Sequence, residues 1–423
     1  MALSAKDHNL PTVRSLLKSQ TPNVQEPSTL RTPLHIAILA CEGQSAELNG
    51  ATNGASVSHA NGAVVDELSL PVLTKAEKTI TLLLQNGAIW NSLDVNNETP
   101  GCIAYRLGLT SLYEVMVDAG VRAELLFGRL DGYMTLGDGD SEDENDDEDE
   151  EMGESGVEIV EELVVDEGKL EDGEEAPQLV AERTALEKAE EEAIPVTSEE
   201  YLNSKLEIDD ERILDEDKNG VMMSWETEIM SRTVNLLLPS TESSTPGPKV
   251  LNIGYGMGIV DSFFQSRNPS SHHIIEAHPQ VIEKLENSPI ASKQGVVIHK
   301  GRWQDILPGL VEDGTITFDA IYFDTFAEDY DQLKLFFMEY VIALLEPTGK
   351  FGFFNGLGAD RQIAYDVYKK VVEMDLLEAG LDTEWHEVKV DSKKMEGEGE
   401  WKGVRRKYWD LERYWLPISN FMG

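Results

Sequence analysis

Gly254-Tyr255-Gly256-Met257-Gly258 follows a short apolar run, Lys249 to Ile253, and precedes Ile259-Val260-Asp261, where a helix should begin. A glycine-rich turn between a strand and a helix lets a ligand approach the backbone, in the crevice beyond the strand ends. Glu276 stands 22 residues after Gly254, at the end of a second apolar run, His273 to Ile275. An acid at that point accepts hydrogen bonds from ribose hydroxyls. Dinucleotide sites share this layout but want G-x-G-x-x-G, with the third glycine inside the helix. Here the third glycine comes one residue early. A G-x-G-x-G turn suits S-adenosylmethionine better, because that molecule has no pyrophosphate to cradle. A nicotinamide dinucleotide and a purely structural turn stay open as alternatives at this point.

A third run, Gly295 to His299, leads into Gly301-Arg302-Trp303-Gln304-Asp305. Trp303 and Gln304 are placed to stack on an adenine and bond its edge. Alternatively, the tryptophan only caps the sheet edge. Asp324 ends a fourth run, Phe318 to Phe323. In open sheets that position points into the ligand crevice.

At these stretches the sequence resembles guanidinoacetate N-methyltransferase. The matching segments are Leu251 to Ile259, Ile274 to His278, Gly301 to Asp305 and Phe318 to Phe326. Upstream, Val221 to Met230 matches that family's W-E-T-x-x-M segment. Two departures are Glu228, where the family usually has proline, and Ala277-His278, which replaces a Cys-Asn pair. Together with an ankyrin-like N-terminus carried by Thr32-Pro33-Leu34-His35-Ile36-Ala37, the chain over about residues 1–127 and 198–423 resembles the fungal type IV protein arginine methyltransferases, which methylate the internal (δ) guanidino nitrogen. The resemblance implies roles. Gly254, Tyr255, Gly256, Met257, Gly258 and Ile259 wrap the methionine part of S-adenosylmethionine. Glu276, Ala277 and His278 hold ribose, and Trp303 and Gln304 hold adenine. Tyr201 and Met230 close over the cofactor. Glu226 and Asp324 are the substrate carboxylates, with Asp324 also at the donor, and Glu228 is a second catalytic candidate. No metal is implied.

Carboxylates suit this chemistry. An arginine guanidinium stays protonated, and its delocalised nitrogens are poor nucleophiles. Carboxylates can bind its N–H groups in a fork and fix its plane. Transfer then rests on proximity and orientation, and a carboxylate can take the released proton. On a helix, Glu226 and Glu228 would not share a face.

Strands alternating with helices over 198–423 imply an α/β Rossmann-like methyltransferase fold, with a parallel sheet covered on both faces. Lys350 to Phe354 reads as the fifth strand, after an apolar helix over Lys334 to Leu345. Thr383 to Val390 and Lys407 to Ile418 read as an antiparallel end hairpin, which such a sheet tolerates.

Residues 1–130 carry a helical repeat signal. Thr32-Pro33-Leu34-His35-Ile36-Ala37 matches the ankyrin T-P-L-H-x-A pattern, and a weaker copy starts at Thr99-Pro100. The spacing between them is 67 residues, against a usual ~33 per repeat, and residues 43–67 read as an inserted loop that accounts for the excess. Val13 to Lys18, Leu82 to Ala88 and Val115 to Val121 read as second helices, the last two ending in a glycine stop. The expectation is an all-α ankyrin-repeat-like domain that docks part of a protein substrate.

Residues 131–197 read as an acidic, largely disordered linker, with a solvated helix over Ala181 to Ala193. Asp138 to Ala176 alone holds 21 acids against one lysine. The formal net charge of the chain is −44, which speaks against nucleic acid or an anionic membrane as a direct partner. Two cysteines, Cys41 and Cys102, make no disulfide framework. The expected protein is a cytoplasmic monomer, with a nuclear location as an alternative, that methylates arginine in a protein, such as a ribosomal or other translation-related one. Two alternatives are a small-molecule guanidino methyltransferase and a non-catalytic binding protein with this fold.

Overall fold

The computed structural model describes residues 1–43, 72–134, 196–239, 246–391, 395 and 399–423. The inserted loop and nearly all of the acidic linker, with its expected helix over 181–193, lie outside the described residues.

The N-terminal part is helical: α1 (Ala2–Lys6), α2 (Leu10–Leu16), α3 (Pro33–Leu39), α4 (Val72–Gln85), α5 (Pro100–Arg106) and α6 (Thr110–Met134). Threonine and proline open α3 and α5 for the same reason. Proline at the first helical position has its φ pre-set and gives up only an amide that would lack a helical partner. Thr32 donates its N–H to His35 Nδ1 at 3.1 Å. That leaves His35 Nε2 to donate to the Glu98 carbonyl at 3.1 Å, which ties α3 to the start of α5. Leu34, Ile38, Ile80, Leu83, Ile103 and Met116 form the shared core of these helices.

The C-terminal part begins with α7 (Ser198–Asn203) and three short strands, β1 (Glu207–Ile208), β2 (Arg212–Leu214) and β3 (Gly220–Met223). These form a separate antiparallel sheet that the apolar patterning had not indicated. A 3-10 turn, Ser224–Glu226, leads into α8 (Thr227–Leu237). The main sheet then follows: β4 (Lys249–Ile253), α9 (Ile259–Gln265), β5 (Ser271–Glu276), α10 (Pro279–Glu286), β6 (Val296–Lys300), α11 (Trp303–Asp313) and β7 (Phe318–Phe323). After it come α12 (Tyr330–Leu335), a π-helical stretch (Phe336–Val341), α13 (Ile342–Leu344), β8 (Leu345–Phe353), α14 (Gln362–Glu378), β9 (Leu381–Lys389) and β10 (Arg413–Phe421).

The sheet order is β6-β5-β4-β7-β8-β10-β9. The strands from β6 to β8 are parallel, and β10 runs antiparallel to β8 and β9. This is a Rossmann-like sheet, mostly parallel, with an antiparallel hairpin at one end. The order reverses between β4 and β7, so the ligand crevice opens at their C-terminal ends.

Three expectations need correction. The last strand starts at Arg413, not Lys407; residues 401–412 instead form a loop that buries Trp401 and Trp409. The helix expected over Lys334 to Leu345 ends at Leu344, and the strand already begins at Leu345, before Pro347. Gly120 does not end a helix. It lies inside α6, where a Cβ would stand 2.6 Å from Val367 of α14. Gly101 faces Ile363 of the same helix in the same way, at 2.2 Å. The missing side chains let the N-terminal helices pack directly on α14, and Tyr113 donates a hydrogen bond to Asp366 at 2.5 Å. No described helix is long and apolar enough to cross a membrane.

Candidate active site

Two adjoining cavities open at the C-terminal ends of β4 and β7. The first is lined by Tyr201, Met222, Met230, Gly254, Tyr255, Gly256, Glu276, Ala277, Trp303, Gln304 and Asp324, among others. The second is lined by Glu226, Asp324, Glu328, Asp329, Phe326, Phe354 and Tyr408, again with others. Val221, Asp324, Thr325, Phe326 and Glu328 belong to both. Asp324 therefore stands where the cavities meet.

Glu276 organises the first cavity. One of its carboxylate oxygens accepts the N–H groups of Tyr255 at 2.8 Å and Gly256 at 3.4 Å. The other accepts those of Ala277 and His278, both at 2.8 Å. A single side chain thus locks the glycine turn to the loop after β5. Burial pushes its carboxyl up, against the pull of these four amides. Met222 covers the turn from β3, with its sulfur accepting the Met257 N–H at 3.1 Å.

Gln304 donates its amide to Glu328 and Gln332, each at 2.9 Å. Its carbonyl oxygen is buried and has no partner among the described residues. Trp303 is only 3% exposed. Its ring meets Phe323, Phe336 and Tyr340 edge-on, and its N–H is spent on Glu328. Thr325 donates to Glu328 as well, at 2.7 Å.

In the second cavity, Glu226 sits at the end of the 3-10 turn and is 2% exposed. Its Oε1 accepts the Met223 N–H at 3.1 Å and the Tyr408 hydroxyl. Asp324 receives no side-chain hydrogen bond from the described residues. Burial pushes Glu226 up to about 8, and the neighbouring Asp324 pushes the same way. Burial also raises Asp324, to about 7, helped by Asp261 and Glu276. Among the described residues the lining holds four acids and no lysine, arginine or histidine. Such a site is unfavourable empty and favours a cation.

Several expected residues fall elsewhere. The Glu228 carboxylate is 63% exposed and pairs with Arg232 one turn along α8, at 2.5 Å. It lines neither cavity, because the helix that begins at Thr227 turns it away from Glu226. His278 is a buried cap of α10, with Nδ1 accepting the Gln280 N–H at 3.2 Å. Only its backbone reaches Glu276. Met257, Gly258 and Ile259 carry the turn into α9 without lining the cavity. The Trp303 ring is committed to the core, which leaves Gln304 as the polar member of that pair. Sequence reasoning missed Met222, Glu328 and Tyr408. Glu328 lies four residues after Asp324 and within reach of that signal; Tyr408 has no local signal at all.

Among the described residues no group of three metal-ligating side chains occurs. A family model described as guanidinoacetate N-methyltransferase matches residues 202–400. The protein arginine N-methyltransferase 2 of Aspergillus fumigatus is 52% identical over 430 residues, covering 99% of this chain and 95% of that protein. Its namesake in Emericella nidulans is 50% identical over 433 residues, covering 99% and 96%. That of Neurospora crassa is 45% identical over 441 residues, covering 100% and 95%. At about half identity across nearly its whole length, the chain belongs to the protein arginine N-methyltransferase 2 family.

Proposed function

We propose that this protein methylates the internal (δ) guanidino nitrogen of arginine residues in a protein substrate, using S-adenosylmethionine. One observation carries the reading. Glu226 and Asp324 come from separate elements and line one cavity with no basic side chain among its described residues, and Asp324 also borders the glycine-turn cavity.

The first cavity fits the methyl donor. The unpartnered Gln304 oxygen is an acceptor for an adenine amino group. Glu276 holds the turn open against the donor's ribose end, and Tyr201 and Met230 close the other side. When bound, the donor supplies an electrophilic methyl on a sulfonium. In the second cavity Asp324 offers two free carboxylate oxygens and Glu226 offers Oε2. Together they hold the guanidinium plane and keep positive charge on the bonded nitrogens. Methylating a guanidinium that stays cationic releases one proton. Asp324 or Glu226 accepts it, since both titrate near neutrality, where a general base works best.

The δ position rests on the resemblance to guanidinoacetate enzymes, in which the carbon-bearing nitrogen is methylated. The N-terminal helices are read as ankyrin-like and as a dock for the substrate protein. The His35 link to Glu98 supports this, because it joins successive units as T-P-L-H motifs do. A translation-related substrate in the cytoplasm or nucleus completes the proposal.

The test is incubation with labelled donor and cell extract, followed by fragmentation of the methylated peptides. Label on the internal arginine nitrogen is expected. Label confined to terminal nitrogens would overturn the δ assignment, and no arginine label would overturn the activity. The match to the guanidinoacetate model favours one second reading, a small guanidino acceptor. Turnover of guanidinoacetate above that of an arginine peptide would establish it.

A further inference from the structure

Tyr408 enters the second cavity from the loop between β9 and β10, 182 residues from Glu226. Backbone bonds pin this loop to the small sheet. Gly220 N–H donates to the Arg406 carbonyl at 3.0 Å, and Arg405 N–H donates to Lys218 at 2.8 Å. The Tyr408 ring stacks on Trp225 at 6.1 Å and 24°, and meets Trp401 edge-on at 5.1 Å. The ring is thus held on two sides, and its hydroxyl reaches Glu226.

Tyr408 and Met223 bond the same oxygen, Oε1. Oε2 receives no hydrogen bond from the described residues. We propose that Tyr408 is a positioning residue: with the Met223 amide it reserves Oε1 of Glu226, so the substrate guanidinium meets Oε2 alone, while Asp324 offers both of its oxygens. The proposal rests on the arginine-methylating reading above. Its physical content is orientation. A guanidinium presents three similar edges, and two equal carboxylate forks could grip any two of them. One fork and one single acceptor break that near-symmetry, which favours one rotation of the guanidinium and thus one nitrogen facing the donor.

Tyr408→Phe removes the hydroxyl and keeps the ring contacts. Expected are a fall of at least tenfold in kcat on an arginine peptide and donor affinity within twofold of wild type. The acid limb of the kcat/KM profile should also move to higher pH, because a hydroxyl that donates to a carboxylate favours its ionised form. The groups facing Glu226 that shape this limb are Asp324, which follows β7, Tyr322 on β7, Tyr414 on β10, and Tyr408 itself. A purely packing role would lower donor affinity and leave the limb in place, and that outcome overturns the proposal. Tyr408→Phe combined with Glu226→Gln should lose no more than Glu226→Gln alone; additive losses would also overturn it. Arginine methylation by wild type with an unchanged Tyr408→Phe variant sinks this proposal only. No arginine methylation by wild type sinks the functional reading and this proposal with it.

Discussion

Gly254 and Asp324 end neighbouring parallel strands so closely that a Cβ on Gly254 would stand 1.9 Å from the Asp324 carbonyl oxygen. The Asp324 N–H meanwhile bonds the Ile253 carbonyl at 2.9 Å. The first residue of the donor turn and the candidate substrate carboxylate are therefore one packed unit. A side chain at Gly254 would therefore displace the Asp324 backbone, which lines both cavities.

Asp324→Asn keeps the shape at this junction and removes the charge. Loss of a charge-assisted pair should cost about 2–5 kcal/mol, so turnover should fall about 30-fold or more. Donor affinity should change much less. Kinetics on an arginine-containing protein beside donor calorimetry would decide. Equal turnover would remove Asp324 from catalysis, and lost donor affinity alone would assign it to the donor side.

Glu228→Gln is the contrasting case. Its exposed pair with Arg232 is worth less than about 1 kcal/mol, so kcat and KM should stay near wild type. A tenfold loss in kcat would return Glu228 to the list of site residues.

Stability should depend on pH through Glu226 and Asp324. Both titrate higher in the folded chain, at about 8 and about 7, than unfolded carboxyls do, near ~4. The folded state then holds extra protons between those limits. The stability they confer is complete below pH ~4 and is lost as pH rises through about 8. Thermal melts of the ligand-free chain should show Tm falling over that range, less so in the Glu226→Gln, Asp324→Asn double variant. The affinity for an arginine peptide should rise over the same range, since the cation needs ionised carboxylates. A flat Tm and a flat affinity would refute the pairing.

Gly256→Val should impair donor binding for a backbone reason. Gly256 has φ +51°, and a Cβ there would stand 2.4 Å from the Met222 sulfur. A β-branched residue at that φ is strained, so the turn must shift and Met222 must leave it. Donor affinity should fall by about tenfold or more. Normal affinity in a folded variant, measured by calorimetry, would refute this.

Glu276→Gln places an amide NH2 opposite two backbone N–H donors, whichever way it is turned. One pair of amides loses its acceptor, at about 1–3 kcal/mol for the buried groups left unpaired. Both stability and donor affinity should drop. Unchanged urea midpoints would show that Glu276 does not anchor the turn.

Much of the lining of the first cavity was legible from local spacing. Gly254 to Gly258, Glu276, Gln304 and Asp324 each follow a strand of the same parallel sheet, and parallel strands carry their C-terminal residues to one edge. The residue types that a strand end needs are therefore visible in a linear pattern. The substrate half was readable only in part. Glu226 was identified through resemblance, but the choice between Glu226 and Glu228 depended on where the 3-10 turn hands over to α8. Two-residue spacing cannot decide that. His278 and Trp303 had suitable types and suitable positions, yet their side chains are taken up by a helix cap and by the core, because hydrogen-bond and packing partners come from elsewhere in the chain. Tyr408 shows the limit most plainly. Its link to Glu226 spans 182 residues and depends on a loop pinned to a small sheet with no clear periodicity. Residue type and strand spacing determined which groups could bind a methyl donor, whereas tertiary packing decided which carboxylate oxygens stay free to meet a cation.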